Sequence, residues 1–65
     1  IVHSSDDSIV PVANSIDYYS ALVANRVPAS LHLYPSGDHG WGFATGFAFF
    51  PMWTAELAHW LSLLN

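Results

Sequence analysis

Of the 65 residues, five are acidic, four are histidine and one, Arg26, is a permanent cation. The chemistry open to such a set is proton transfer rather than phosphate or nucleic-acid recognition. Two loop-like stretches concentrate the relevant side chains. The first, Ser4-Ser5-Asp6-Asp7-Ser8, holds two adjacent carboxylates. The second, Pro35-Ser36-Gly37-Asp38-His39-Gly40-Trp41-Gly42, holds a carboxylate and an imidazole among three glycines. A carboxylate facing an imidazole fixes its tautomer and stabilises the imidazolium formed when the ring takes a proton from a nucleophile. Asp7 and His39 are the candidates for that pairing, with Asp6 an alternative to Asp7. From pattern alone, an aspartate before a helix is more often an Asx-turn or N-terminal anion, and a histidine in a Gly-rich loop a turn residue. His3, His32 and His59 read as a strand-end hydrogen bonder, a sheet-face residue and a helix-surface residue. No HxxxH or HxH spacing supports a zinc site built from His3, Asp38 and His39. Ser4, Ser5 and Ser8 read as loop hydroxyls rather than nucleophiles.

The elements that must position these loops follow from hydrophobic period and turn residues. Ile1-Val2-His3 is the end of a buried strand running into the first loop. From Pro11, the residues Val12, Ile16, Tyr19 and Val23 recur at helical spacing, which predicts a helix ending near Arg26, with Asn25-Arg26 as a left-handed stop. The segment 29–34 alternates, Leu31 and Leu33 on one face and His32 and Tyr34 on the other, as a strand does. The aromatic stretch 43–50 has no clean period. After Pro51, the residues Trp53, Leu57, Trp60, Leu61 and Leu64 form a second helical stripe. Two strands joined by a helical crossover are expected to be parallel neighbours with a right-handed connection, the unit of an α/β sheet. Functional residues of such sheets lie in loops beyond the carboxyl ends of the strands, where both candidate loops fall.

In this order and spacing the sequence resembles the α/β-hydrolase-fold serine esterases and lipases. His3-Ser4-Ser5-Asp6-Asp7-Ser8-Ile9-Val10-Pro11 is similar to the H-G-x-x-D-x-x-V-P segment that carries the triad aspartate. Ser15, Tyr18, Tyr19, Leu22 and Val27-Pro28 resemble the helix that follows, and Leu31-His32-Leu33-Tyr34 the last core strand. Gly37-Asp38-His39-Gly40-Trp41-Gly42-Phe43 is similar to the G-x-H-G-F-G segment bearing the catalytic histidine, and Trp53 with Trp60-Leu61 to the closing helix. The branch it most resembles is that of acetyl-xylan-esterase-like and dienelactone-hydrolase-like enzymes, with prolyl-oligopeptidase-type peptidases as cousins. The resemblance implies Asp7 as the triad acid, His39 as the general base, and an ester or acylated carbohydrate as substrate, with no cofactor and no metal. Ser4 stands where the family has glycine, and Asp38 where glycine is frequent. No G-x-S-x-G nucleophile elbow and no HGGG-type oxyanion loop occurs in the 65 residues. Trp41, Phe43 and Phe47 are candidates to line an acyl or alcohol pocket.

Composition fits that reading. The chain is 52% hydrophobic and 9% charged, against about 25% charged in an ordinary soluble domain. A domain this small has difficulty offsetting its ordering entropy without disulfides or metals, and there is no cysteine. The expectation is therefore a C-terminal β-α-β-α fragment of an α/β-hydrolase sheet, residues 1–65, whose partner is the remainder of the hydrolase domain. It is expected to be inactive when isolated. A net charge of −4 disfavours nucleic acid and anionic lipid as partners. The longest apolar run, 47–53, is too short to cross a bilayer, and residues 1–3 do not have the form of a signal peptide. The alternatives are the C-terminal part of a prolyl-oligopeptidase-type peptidase and a non-catalytic, truncated binding module.

Overall fold

The computed structural model describes residues 1–64. Strand β1 (Val2–Ser4) is followed by helix α1 (Val12–Ala24), strand β2 (His32–Tyr34) and helix α2 (Phe50–Ser62). The two strands pair in parallel with Val2 opposite His32, His3 opposite Leu33 and Ser4 opposite Tyr34. This is the β-α-β-α order, with a parallel strand pair, that the sequence predicts. Parallel pairing brings the carboxyl ends of both strands to the same edge, so the loops after Ser4 and after Tyr34 start side by side. The Ser5 amide, donating to the Tyr34 carbonyl at 2.7 Å, carries the ladder one step past the strands.

Helix α1 begins just after Pro11, whose missing N–H is no loss in a first turn. It ends at Asn25, and Arg26 turns the chain at φ 59°. The second strand is shorter than the expected 29–34: pairing spans His32–Tyr34, preceded by contacts of Ile1 with the Ser30 carbonyl and the His32 amide. Helix α2 starts at Phe50 with Pro51 in its first turn. Among the described residues no helix is long and apolar enough to cross a membrane.

The core is aromatic and lies beside the second loop. Tyr34, Phe47 and Trp53 are buried, with Val2, Trp41, Phe49 and Phe50 packed against them. Trp41 and Phe47 stack at 4.0 Å between centroids, Tyr34 stacks on Phe49 at 5.0 Å, and Tyr34 meets Phe47 edge-on at 6.1 Å. The edge-on contact is one of the favoured geometries of ring quadrupoles. The aperiodic stretch 43–50 is thereby explained, since its order comes from rings inserted one by one rather than from a repeating face. The alternation in β2 also resolves: Tyr34 turns inward, whereas Leu33 on the opposite face is 40% exposed. No residue of α1 is buried, and Ile16 and Val23 of its apolar stripe are exposed, as are Leu57 and Leu61 of α2.

Candidate active site

The carboxyl edge of the two strands gathers the side chains singled out in the sequence. Asp7 sits in the turn after β1, where its amide donates to the Ser4 carbonyl at 3.2 Å. Its Oδ1 accepts the amides of Ile9 at 2.9 Å and Val10 at 2.8 Å, tying down the approach to α1. Its Oδ2 lies 3.0 Å from His39 Nδ1. The turn role and the imidazole-facing role are thus not rivals: one oxygen serves each. Burial pushes the Asp7 carboxyl up, but the hydrogen bonds from Val10, His39 and Ile9, with the nearby imidazole, outweigh it and hold the group at about 2. A carboxylate so held only accepts. His39 Nδ1 therefore carries the hydrogen, on a side chain that is 46% exposed.

Asp6 faces elsewhere. Its Oδ1 accepts the Asp38 amide at 2.8 Å. Asp38 returns the contact: its Oδ1 accepts both the amide and the hydroxyl of Ser8, each at 2.7 Å. These two donations from Ser8 lower the Asp38 carboxyl, against opposing effects of desolvation and the Asp7 charge. The two loops are thereby cross-linked on the residues flanking Asp7 and His39.

Ser4 and His3 complete the arrangement, and sequence reasoning had given neither a specific contact here. Ser4 is fully buried, its hydroxyl donating to the Ser36 carbonyl at 3.1 Å and accepting the Trp41 indole N–H at 2.7 Å. A serine where the resemblance has glycine therefore has its own use, joining β1 to both ends of the histidine loop. His3 Nε2 lies 3.0 Å from the Val10 carbonyl and 3.2 Å from Asp7 Oδ2. Since a carbonyl only accepts, Nε2 bears the hydrogen, while Nδ1 lies 2.5 Å from the Ser15 hydroxyl. The one signal for these contacts in the sequence was that Ser4 and Asp38 departed from the glycines of the resembling motifs.

His39 opens onto a cleft of about 370 Å³ that His3, Ser4, Asp7, Asp38 and Trp41 also line. Of the aromatic residues expected to border a substrate pocket, only Trp41 does so; Phe47 is in the core, and Phe43 is exposed and packs on Trp53. His32 and His59 stand apart from the cleft. Among the described residues, no group of three or more metal-ligating side chains is arranged to hold an ion. A second, apolar cleft of about 360 Å³ lies at the opposite end of the strands, lined by Tyr18, Leu22, Pro28, Trp53, Leu57 and Trp60 among others.

The sequence profile of the prolyl oligopeptidase family matches residues 1–63. An acetylxylan esterase of Xylanibacter ruminicola is 45% identical over 62 residues, 94% of this chain. The chain spans 13% of the length of that relative.

Proposed function

The chain belongs to the prolyl oligopeptidase family, and on that footing we propose that it supplies the general base and its orienting acid to a serine hydrolase acting on carboxylic esters. The observation that carries the reading is the 3.0 Å contact between His39 Nδ1 and an Asp7 carboxylate whose other oxygen is pinned by two backbone amides. A serine from another part of a longer protein attacks the ester carbonyl. As its oxygen bonds to carbon, its proton passes to His39 Nε2, and the imidazolium is stabilised by Asp7. The same proton then goes to the leaving alcohol as the carbon–oxygen bond breaks. Water, activated by His39 in the same way, releases the acyl group from the serine.

The substrate class proposed is an acyl ester on carbohydrate, supported by the name of the acetylxylan esterase relative. Peptide-bond hydrolysis is the second reading, favoured by the family's name; a His–Asp pair serves either acyl transfer. Residues 1–65 are proposed to form an incomplete part of the hydrolase domain. The aromatic core leaves Ile16, Val23, Leu33 and Leu61 exposed, surfaces that a parallel sheet ordinarily buries on both faces.

The test is made in the full-length protein that carries these residues, with p-nitrophenyl acetate, acetylated xylo-oligosaccharide and a proline-containing peptide anilide as substrates. Asp7→Asn keeps an acceptor for the Ile9 and Val10 amides but presents an amide to His39, favouring the wrong tautomer. It is expected to lower kcat by about 10⁴-fold, and His39→Ala by at least as much. A loss below tenfold in Asp7→Asn refutes the acid assignment. Full ester hydrolysis in His39→Ala refutes the catalytic reading and favours a binding module, and preferential cleavage of the anilide favours the peptidase.

A further inference from the structure

The residues on either side of the Asp7–His39 pair form a reciprocal cross-link that a catalytic role for the pair does not by itself require. Asp6, immediately before Asp7, accepts the backbone amide of Asp38, immediately before His39. Asp38 in turn reaches back across the same gap and accepts two donors from Ser8, immediately after Asp7. Asp38 is therefore tied to the first loop on both sides of Asp7, by its amide to Asp6 and by its carboxylate to Ser8. These are charge-assisted bonds of 2.7–2.8 Å, the stronger class of hydrogen bond.

Backbone geometry adds an independent observation. Asp38 lies at φ 54°, in the left-handed region. That conformation is disfavoured for residues with a Cβ, although aspartate and asparagine tolerate it better than most. A glycine would adopt it without cost, but would bring no carboxylate to Ser8. The position thus combines a backbone disfavour with a side chain whose contacts lead to the other loop.

We propose that Asp38, acting with Ser8 and Asp6, is a positioning residue that sets the His39 ring against Asp7 and toward the cleft. The proposal rests on the reading of His39 as general base. His39 is itself half-exposed, and the chain around it contains Gly37, Gly40 and Gly42, all at positive φ. A loop of that composition has freedom to lose, and a displacement of about 1 Å in a reacting group can cost on the order of 100-fold in rate.

The experiment compares Asp38→Gly with Asp38→Asn in the full-length protein, using p-nitrophenyl acetate, with His39→Ala as the control. Glycine and asparagine both accommodate φ 54°, so the pair differs in whether an acceptor is offered to Ser8. Asp38→Gly is expected to lower kcat by roughly 10- to 100-fold with KM within about twofold, while Asp38→Asn stays within about threefold of the parent in kcat. Ser8→Ala is expected to lower kcat when Asp38 is intact and to have no further effect once Asp38 is glycine. A purely structural loss would not be confined to kcat and would not show this dependence. Asp38→Gly within twofold of the parent, or Asp38→Asn as impaired as Asp38→Gly, overturns the proposal while a dead His39→Ala leaves the base assignment standing. An active His39→Ala overturns the base assignment, and the positioning role with it.

Discussion

Of the four glycines, Gly37 alone has no room for a methyl group. A Cβ built there lies 2.2 Å from Phe47 Cε1, 2.8 Å from Phe47 Cδ1 and 3.1 Å from Ser4 Oγ. The ring has little room to retreat: it stacks on Trp41 at 4.0 Å and meets Tyr34 and Phe49 edge-on at 6.1 and 5.7 Å. Gly37 also stands at φ 122°, where an L side chain is strained whatever space it finds. The backbone conflict costs of order 1–3 kcal/mol and overpacking a well-filled core typically another 1–3. Gly37→Ala should therefore destabilise the protein by about 2–6 kcal/mol.

Urea unfolding of the full-length protein measures that loss, and a second substitution separates its two parts. Phe47→Leu removes the ring edge that the new methyl meets, so in a double-mutant cycle Gly37→Ala should cost less in the leucine background, by about the overpacking share of 1–3 kcal/mol. The backbone share should persist in both. Because Gly37 precedes Asp38 and His39, a shift of the loop should also lower kcat, by up to roughly 100-fold. Gly37→Ala within about 0.5 kcal/mol of the parent, or an unchanged cost in the Phe47→Leu background, would refute the reasoning.

Ser4→Ala leaves the Trp41 indole N–H and the Ser36 carbonyl without their partner and should cost about 1–3 kcal/mol in urea unfolding; a loss below that range would mean that solvent replaces the hydroxyl. In the Trp41→Phe background, where the indole donor is already gone, Ser4→Ala should cost less. The folded-state value of Asp7, about 2 against an ordinary 3.8, gives stability that is present above pH 3.8 and is lost as pH falls through about 2. Acid unfolding followed by circular dichroism should show Asp7→Asn to be missing that component, and an identical pH dependence in parent and variant would count against the Asp7 hydrogen bonds.

The parallel β-α-β unit was legible because its signals are local and repeated: Val12, Ile16, Tyr19 and Val23 at helical spacing, proline at the entrance of each helix, and glycines where the second loop departs. The aspartate and histidine that the structure brings within 3.0 Å were also nameable, since the motifs around them are short and each lies in one loop. The choice of Asp7 over Asp6 came from the resemblance and not from the residues themselves, because adjacent aspartates differ only in where the turn points them. Asp7 reaches His39, while Asp6 reaches the Asp38 backbone. The Asp38–Ser8 contact and the Ser4 hydroxyl bridge were hidden for the same reason: each joins residues far apart in the chain through geometry that exists only once the strands pair. The strand 29–34 was overlong because alternation marks an extended backbone, whereas pairing also needs a neighbour.

The apolar excess of the sequence divides along the same line. Around the histidine loop the surplus is used: Trp41 is stacked and hydrogen-bonded, and Tyr34, Phe47 and Trp53 are buried. Away from it, on α1, on the Leu33 face of β2 and along much of α2, apolar side chains remain uncovered. Trp53 shows both conditions in one residue, with its ring buried and its indole N–H lacking a partner among the described residues. A buried donor left unpaired costs about 1–3 kcal/mol, so this is a position where a carbonyl or carboxylate from neighbouring structure would be stabilising. The side chains around the proposed proton-transfer pair thus form their contacts within the segment, whereas the helix and sheet faces stay apolar and uncovered, as the proposed place within a larger hydrolase domain requires. Activity is expected to depend on those neighbours chiefly for the nucleophile and the oxyanion donors, because the His39–Asp7 geometry is already formed by residues 3–41.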